Sequence, residues 1–168
     1  MKRSIVLLGV LPLLLAGCGS ADSSGETLGT ESFQYNIPSG AVQDLRFGKE
    51  EFFAYGPITG SAAVPANGLA KVHMFEKGIS LHTLQVNIPL AKDGYFYEGW
   101  LLNSKTNERV STGHLKSLFG DVRHNLDYQA ERDLRGFTKV VITLERDDGN
   151  SAPGTEVATG TLKELKRD

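Results

Sequence analysis

The chain has 168 residues and a mass of 18.2 kDa, the length of one ordinary domain with some extension. Hydrophobic residues make up 40% and charged residues 23%, which supplies a packed core and argues against wholesale disorder. Eighteen Lys and Arg against twenty Asp and Glu give a formal charge of −2, without the basic excess of a nucleic-acid binder; a single cysteine excludes an internal disulfide, a cysteine-built zinc site and an iron–sulfur cluster.

The chain opens with Lys2 and Arg3, followed by the uncharged run Ile5–Ala16, IVLLGVLPLLLA. A membrane-spanning helix needs about 20 apolar residues, so this run is too short, and Pro12 suits a helix interior poorly. The pattern reads as a secretory signal peptide over residues 1–17. It ends in Leu15-Ala16-Gly17-Cys18, which resembles the lipobox of bacterial lipoproteins. That resemblance implies diacylation of the Cys18 thiol by palmitate-type chains, cleavage before Cys18, and acylation of the new amino group. A free thiol is a liability in an oxidising envelope, whereas a lipid thioether is inert. Two or three acyl chains anchor durably where one does not. Losing Lys2 and Arg3 makes the remaining chain two charges more negative, so attachment rests on the lipid rather than on attraction to anionic headgroups. The expected location is the bacterial cell envelope, lipid-anchored on the extracytoplasmic side of a membrane.

Residues 18–50 read as a lipidated tether, partly disordered, because 19–32 are small and polar with only Ala21 and Leu28 apolar. Phe33, Tyr35, Ile37, Val42, Leu45 and Phe47 could dock on the domain that follows. A β domain is expected over 51–163, with strands at 58–64, 69–75, 80–88, 95–102, 109–115, 121–128, 137–146 and 156–162. The last long strand but one is the clearest, with Val140, Ile142 and Leu144 on one face and Lys139, Thr143 and Glu145 on the other. One helical turn is expected near 129–134, and 164–168 reads as a charged tail. Short strands with frequent turns point to an antiparallel β-sandwich of seven to eight strands. In the 95–102 strand, strict alternation separates Tyr97 from Trp100, and a β-bulge at Glu98-Gly99 would turn Tyr97, Trp100 and Leu102 together toward the core.

Tyr97-Glu98-Gly99-Trp100-Leu101 resembles the Tyr-x-x-Trp-Leu strand in the extracytoplasmic domain of anti-sigma-K factors. Ser111-Thr112-Gly113-His114-Leu115 resembles the strand that follows it in that family. Val140–Glu145, then Gly149–Pro153 and Gly160, resemble its closing Val-Thr-Leu-Glu and Gly/Pro signature. The resemblance covers roughly 58–162 and implies an immunoglobulin-like sandwich outside the membrane, with Tyr97, Trp100, Gly113 and Glu145 as structural signature residues. Those factors carry a cytoplasmic sigma-binding domain and a transmembrane helix before this module. Here a lipoprotein signal stands in that place, so sequestration of a sigma factor does not carry over.

No catalytic pattern stands out. His73, His82, His114 and His124 lack a His-x-His or His-x-x-x-His spacing, so no metal site is expected. Asp147-Asp148-Gly149-Asn150 lacks the ligand series of an EF-hand and reads as a solvated turn. There is no Gly-x-Ser-x-Gly elbow, and Gly-x-Gly patterns lack a βα unit. The aromatic residues Tyr95, Phe96, Tyr97 and Trp100 suit core packing or sugar stacking. The expectation is a non-catalytic lipoprotein without cofactor, presenting an Ig-like module to an envelope protein partner, with membrane contact through its lipid and no nucleic acid. The alternative is a carbohydrate, small-molecule or metal-binding lipoprotein that uses loops at one end of the sandwich.

Overall fold

The computed structural model describes residues 40–167; the expected signal peptide, the expected lipobox at Leu15-Ala16-Gly17, Cys18 and the part of the expected tether up to residue 39 lie outside them. Among the described residues the fold is all-β and antiparallel, with no helix. In chain order the strands are β1 (Gln43–Asp44), β2 (Gly48–Gly60), β3 (Asn67–Phe75), β4 (Ser80–Asn87), β5 (Tyr95–Leu102), β6 (Arg109–His114), β7 (Lys116–Ser117), β8 (Arg123–Ala130), β9 (Lys139–Arg146), β10 (Thr155–Thr161) and β11 (Lys163–Glu164). Strands β1, β7 and β11 have only two residues each.

All pair into one continuous sheet, β6-β5-β9-β10-β2-β3-β4-β8-β7, with β1 and β11 added to β2. The two ends of this sheet curl toward each other until it is nearly a barrel. Thr112 of β6 and Leu126 of β8 meet around Gly99, and Arg132 beyond β8 binds Glu108 ahead of β6 at 2.6 Å. Strand register defines two ends. The described chain begins at the proximal end, with the 76–79, 103–108 and 131–138 connections and the C-terminal residues. The 61–66, 88–94, 118–122 and 147–154 connections lie at the distal end.

Alternation builds the interior. Ala54 and Ile58 of β2, Ala70 and Val72 of β3, Leu84 and Val86 of β4, Tyr97 and Leu101 of β5, Leu126 of β8, and Val140 and Ile142 of β9 form one buried apolar cluster. Each large apolar side chain removed from water contributes roughly 1.5–3 kcal/mol. Strand β9 is buried on both faces, because Val141, Thr143 and Glu145 are also covered.

Several expectations shift. The first long strand starts at Gly48, not 58, and ends at Gly60. The turn of helix near 129–134 is absent: Gln129 and Ala130 finish β8 in register with Leu81 and Ser80. The irregularity of β5 is on its partner. β5 pairs with β9 without a break, while the β5–β6 register jumps from Gly99↔Gly113 to Trp100↔Ser111 and leaves Thr112 extra. Gly113 accommodates this bulge with φ 101, a backbone region that favours glycine. Strict alternation therefore holds along β5, and Trp100 is buried (7% exposed) on the outer face beside Val141 and Thr143 rather than among Val140, Ile142 and Leu144. Tyr97 faces the interior as expected, accompanied by Leu101, whereas Leu102 shares the outer face with Trp100.

Candidate functional site

Two polar clusters lie on the outer surface of the sheet. The first joins two of the four signature residues. The Trp100 indole N–H donates to Thr143 Oγ1 at 2.8 Å, and the Thr143 hydroxyl donates to Glu145 Oε1. The Gly154 amide also donates to Glu145, at 2.9 and 2.8 Å to its two oxygens. Register explains the alignment, since Val141, Thr143 and Glu145 occupy alternate positions on the outer face of β9 and Trp100 pairs with Val141, next to Thr143. The Arg109 guanidinium lies 5.7 Å from the Trp100 ring centre. On the same face the Ser111 hydroxyl donates to Glu98, and the rings of Phe96 and His114 stack at 4.0 Å. Chemically this is a buried carboxylate supplied with donors: it fastens the 147–154 connection onto β9. Of the remaining signature residues, Tyr97 is interior, where burial raises its phenol pKa, and Gly113 holds the β6 bulge. Thr143 is the member that sequence reading passed over as a solvent-facing position; its i, i+2 relation to Glu145 was the available sign.

The second cluster surrounds Glu50 at the proximal end. His73 of β3 meets Glu50 Oε1 through Nδ1 at 2.5 Å. Burial pushes the His73 pKa down and outweighs the attraction of Glu50, so a neutral imidazole donates its Nδ1–H to the carboxylate. Arg167 Nη1 donates to Glu50 Oε2 at 3.2 Å and to the Gly40 carbonyl at 3.5 Å, and the Val42 amide reaches Glu50 Oε2 at 3.3 Å. The guanidinium sits 3.5 Å from the centre of the Phe53 ring, with the Arg167 side chain 4% exposed. A bulge at Glu51 in β2 sets Glu50 and Phe53 on the same outer face as His73. A cleft of about 300 Å³ adjoins this cluster, lined by Glu51, Phe52, Phe53, Glu164, Leu165 and Lys166 among others. Nothing in the sequence pattern marked Glu50 or Arg167 as partners, since 117 residues separate them.

The remaining histidines stand apart. His82 is fully buried on the inner face of β4, its Nδ1–H donating to the Lys71 carbonyl at 2.9 Å, and burial lowers its pKa to about 4. His124 is buried with Nδ1 on the Val122 carbonyl at 2.9 Å and its ring edge-on to Tyr97. Among the described residues no group of three His, Cys, Asp or Glu side chains converges as a metal site. The Asp147–Asn150 turn closes on itself, with the Asn150 amide on Asp148 and the Ala152 amide on Asn150, each at 3.0 Å.

The distal end differs in character. Of the exposed large apolar residues among the described residues, Leu90, Tyr95, Leu118, Phe119 and Val122 all lie there, and Leu45 alone is proximal. Ser117 braces the 118–122 connection, giving its hydroxyl to the Asp121 carbonyl at 2.7 Å and accepting the Asp121 amide at 2.9 Å. Arg123 stacks 4.5 Å from the Phe119 ring centre and pairs with Asp121. No family model and no curated protein matches the chain.

Proposed function

We propose that this chain is a bacterial lipoprotein, anchored through acylated Cys18, that presents a non-catalytic immunoglobulin-like module resembling the extracytoplasmic domain of anti-sigma-K factors to an interaction partner in the cell envelope. The observation that carries the reading is the placement of the lone cysteine directly after Leu15-Ala16-Gly17, at the end of an uncharged run too short to span a bilayer. The buried carboxylates Glu50 and Glu145 are engaged by neighbouring donors of the same chain, as structural fastenings are. The Tyr97, Trp100, Gly113 and Glu145 signature acts within the module in the same sense, shaping it rather than meeting a substrate.

The test is Cys18→Ser. With no acyl chain the processed protein leaves the membrane, so fractionation after an alkaline wash should move it from the pellet to the soluble fraction. Mature variant protein that stays quantitatively in the pellet refutes the anchor assignment.

A further inference from the structure

Five exposed apolar or aromatic residues gathered at one end of the domain call for an occupant. We propose that the distal tip, with Leu118 and Phe119 at its apex and Leu90 and Val122 beside them, dips into the headgroup region of the bilayer that carries the Cys18 lipid. This rests on the lipoprotein reading above.

Shape comes first. Leu118 and Phe119 are 68% and 69% exposed, and they sit on a connection between β7 and β8, not on a sheet face or in a groove. Leu90 and Val122 follow at 53% and 47%, and the Ile88 amide binds the Val122 carbonyl at 2.9 Å, which places the two chain segments side by side. A specific protein interface takes roughly 800 Å² and 20–30 residues from each partner. Leu90, Leu118, Phe119 and Val122 fall well short of that number, whereas a bilayer accepts exposed apolar side chains without a complementary surface.

Rigidity and charge agree. Ser117 holds the connection closed through its two bonds to Asp121, so inserting the tip orders little additional chain. Arg123 is stacked on Phe119 and paired with Asp121, and Arg146 stacks on Tyr95. The two arginines at this end thus lie on rings, Lys92 beside Leu90 is an exposed cation with a flexible apolar stem, and Tyr95 offers an apolar body with a polar hydroxyl, suited to headgroup depth. The contact is apolar, so it should not depend on anionic lipid.

Reach is sufficient. Residues 19–39 can extend to about 70 Å, whereas the eight-residue strand β4 spans about 27 Å. The domain can therefore turn its distal end to the same bilayer. A weak tip contact suffices there, because the anchor keeps the tip at high local concentration.

The test uses the full lipidated chain carrying Phe119→Trp, reconstituted into phosphatidylcholine vesicles with brominated acyl chains, with and without phosphatidylglycerol. The tryptophan at the tip should emit to the blue of an exposed indole and lose most of its signal to the brominated lipid, equally in both vesicle types. Adding Leu118→Asp, at an exposed position that leaves the fold intact, should return the signal to aqueous iodide. Buried Trp100 provides a constant background. Protein retained on vesicles whose new tryptophan is quenched by iodide and not by lipid overturns the proposal, leaves the anchor standing and directs attention to a protein partner. Quenching that requires phosphatidylglycerol overturns the apolar mechanism. Loss of the protein from the vesicles overturns both readings.

Discussion

Acid should act on this domain through His82. Its ring is fully buried on the inner face of β4, Nδ1 already donates to the Lys71 carbonyl at 2.9 Å, and Nε2 has no hydrogen-bond partner among the described residues. Protonation would place a charge and an unpaired N–H inside the apolar cluster, which is why burial brings the pKa from 6.5 to about 4. Because the folded value is depressed, the unfolded chain takes up the proton first as pH falls. Stability is complete above pH 6.5 and declines between 6.5 and about 4, after which this group contributes no further slope. At 1.36 kcal/mol per pH unit the total loss is about 3 kcal/mol, a large part of the roughly 5–15 kcal/mol that holds a domain together. His73, also depressed by burial, pulls in the same direction, so a variant must isolate the effect. His82→Asn retains an N–H donor near the Nδ1 position and does not titrate. Urea denaturation from pH 7 to pH 4 should show wild type losing about 3 kcal/mol more than the variant over this window. Equal pH slopes in the two proteins, or a folded-state His82 that titrates near 6.5 by NMR, would refute the argument.

Two stability predictions concern the packing of β5. Thr143→Val keeps the shape but leaves the Trp100 indole N–H and Glu145 short of a partner, so it should cost about 1–3 kcal/mol by chemical denaturation, with Trp100→Ala costing about 3–5 kcal/mol and Trp100→Phe less; iodide-quenched, red-shifted emission from wild-type Trp100 would contradict its burial. Gly99→Ala should cost about 1–3 kcal/mol, since an added methyl would lie 2.7 Å from Thr112 Oγ1 and 2.9 Å from Leu126 Cδ1; an unchanged denaturation midpoint would show that the β5–β6 wall yields more easily than this packing implies.

Strand order along the chain was legible because alternation is a local property. The strand expected over 137–146 from Val140, Ile142 and Leu144 ends where expected and starts two residues later, at Lys139, and β5 was placed to the residue. The same rule loses its meaning where both faces are covered. Thr143 and Glu145 look solvent-facing by parity, yet Trp100 and the Gly154 connection bury them, and the tryptophan was consequently assigned to the wrong face. Bulges defeat parity in another way. The extra residue Thr112 sits on β6, the extra residue Glu51 on β2, and only the paired strand reveals which partner carries the insertion. The Glu50 cluster was illegible for a simpler reason: His73 and Arg167 approach Glu50 across 23 and 117 residues of sequence.

The Glu50 carboxylate also makes the described chain close on itself. Chain ends ordinarily fray one at a time, each governed by its own few contacts. Here Arg167 touches the Gly40 carbonyl and Glu50, and the Val42 amide shares the same carboxylate oxygen. Displacing the last residues takes a partner from the first, and displacing the first takes one from the last. The beginning and the end of the domain therefore behave as a single opening unit rather than as two loose termini. Gly40 therefore stands at a corner braced from both directions, so a pull on the chain there has little means of propagating into the sheet.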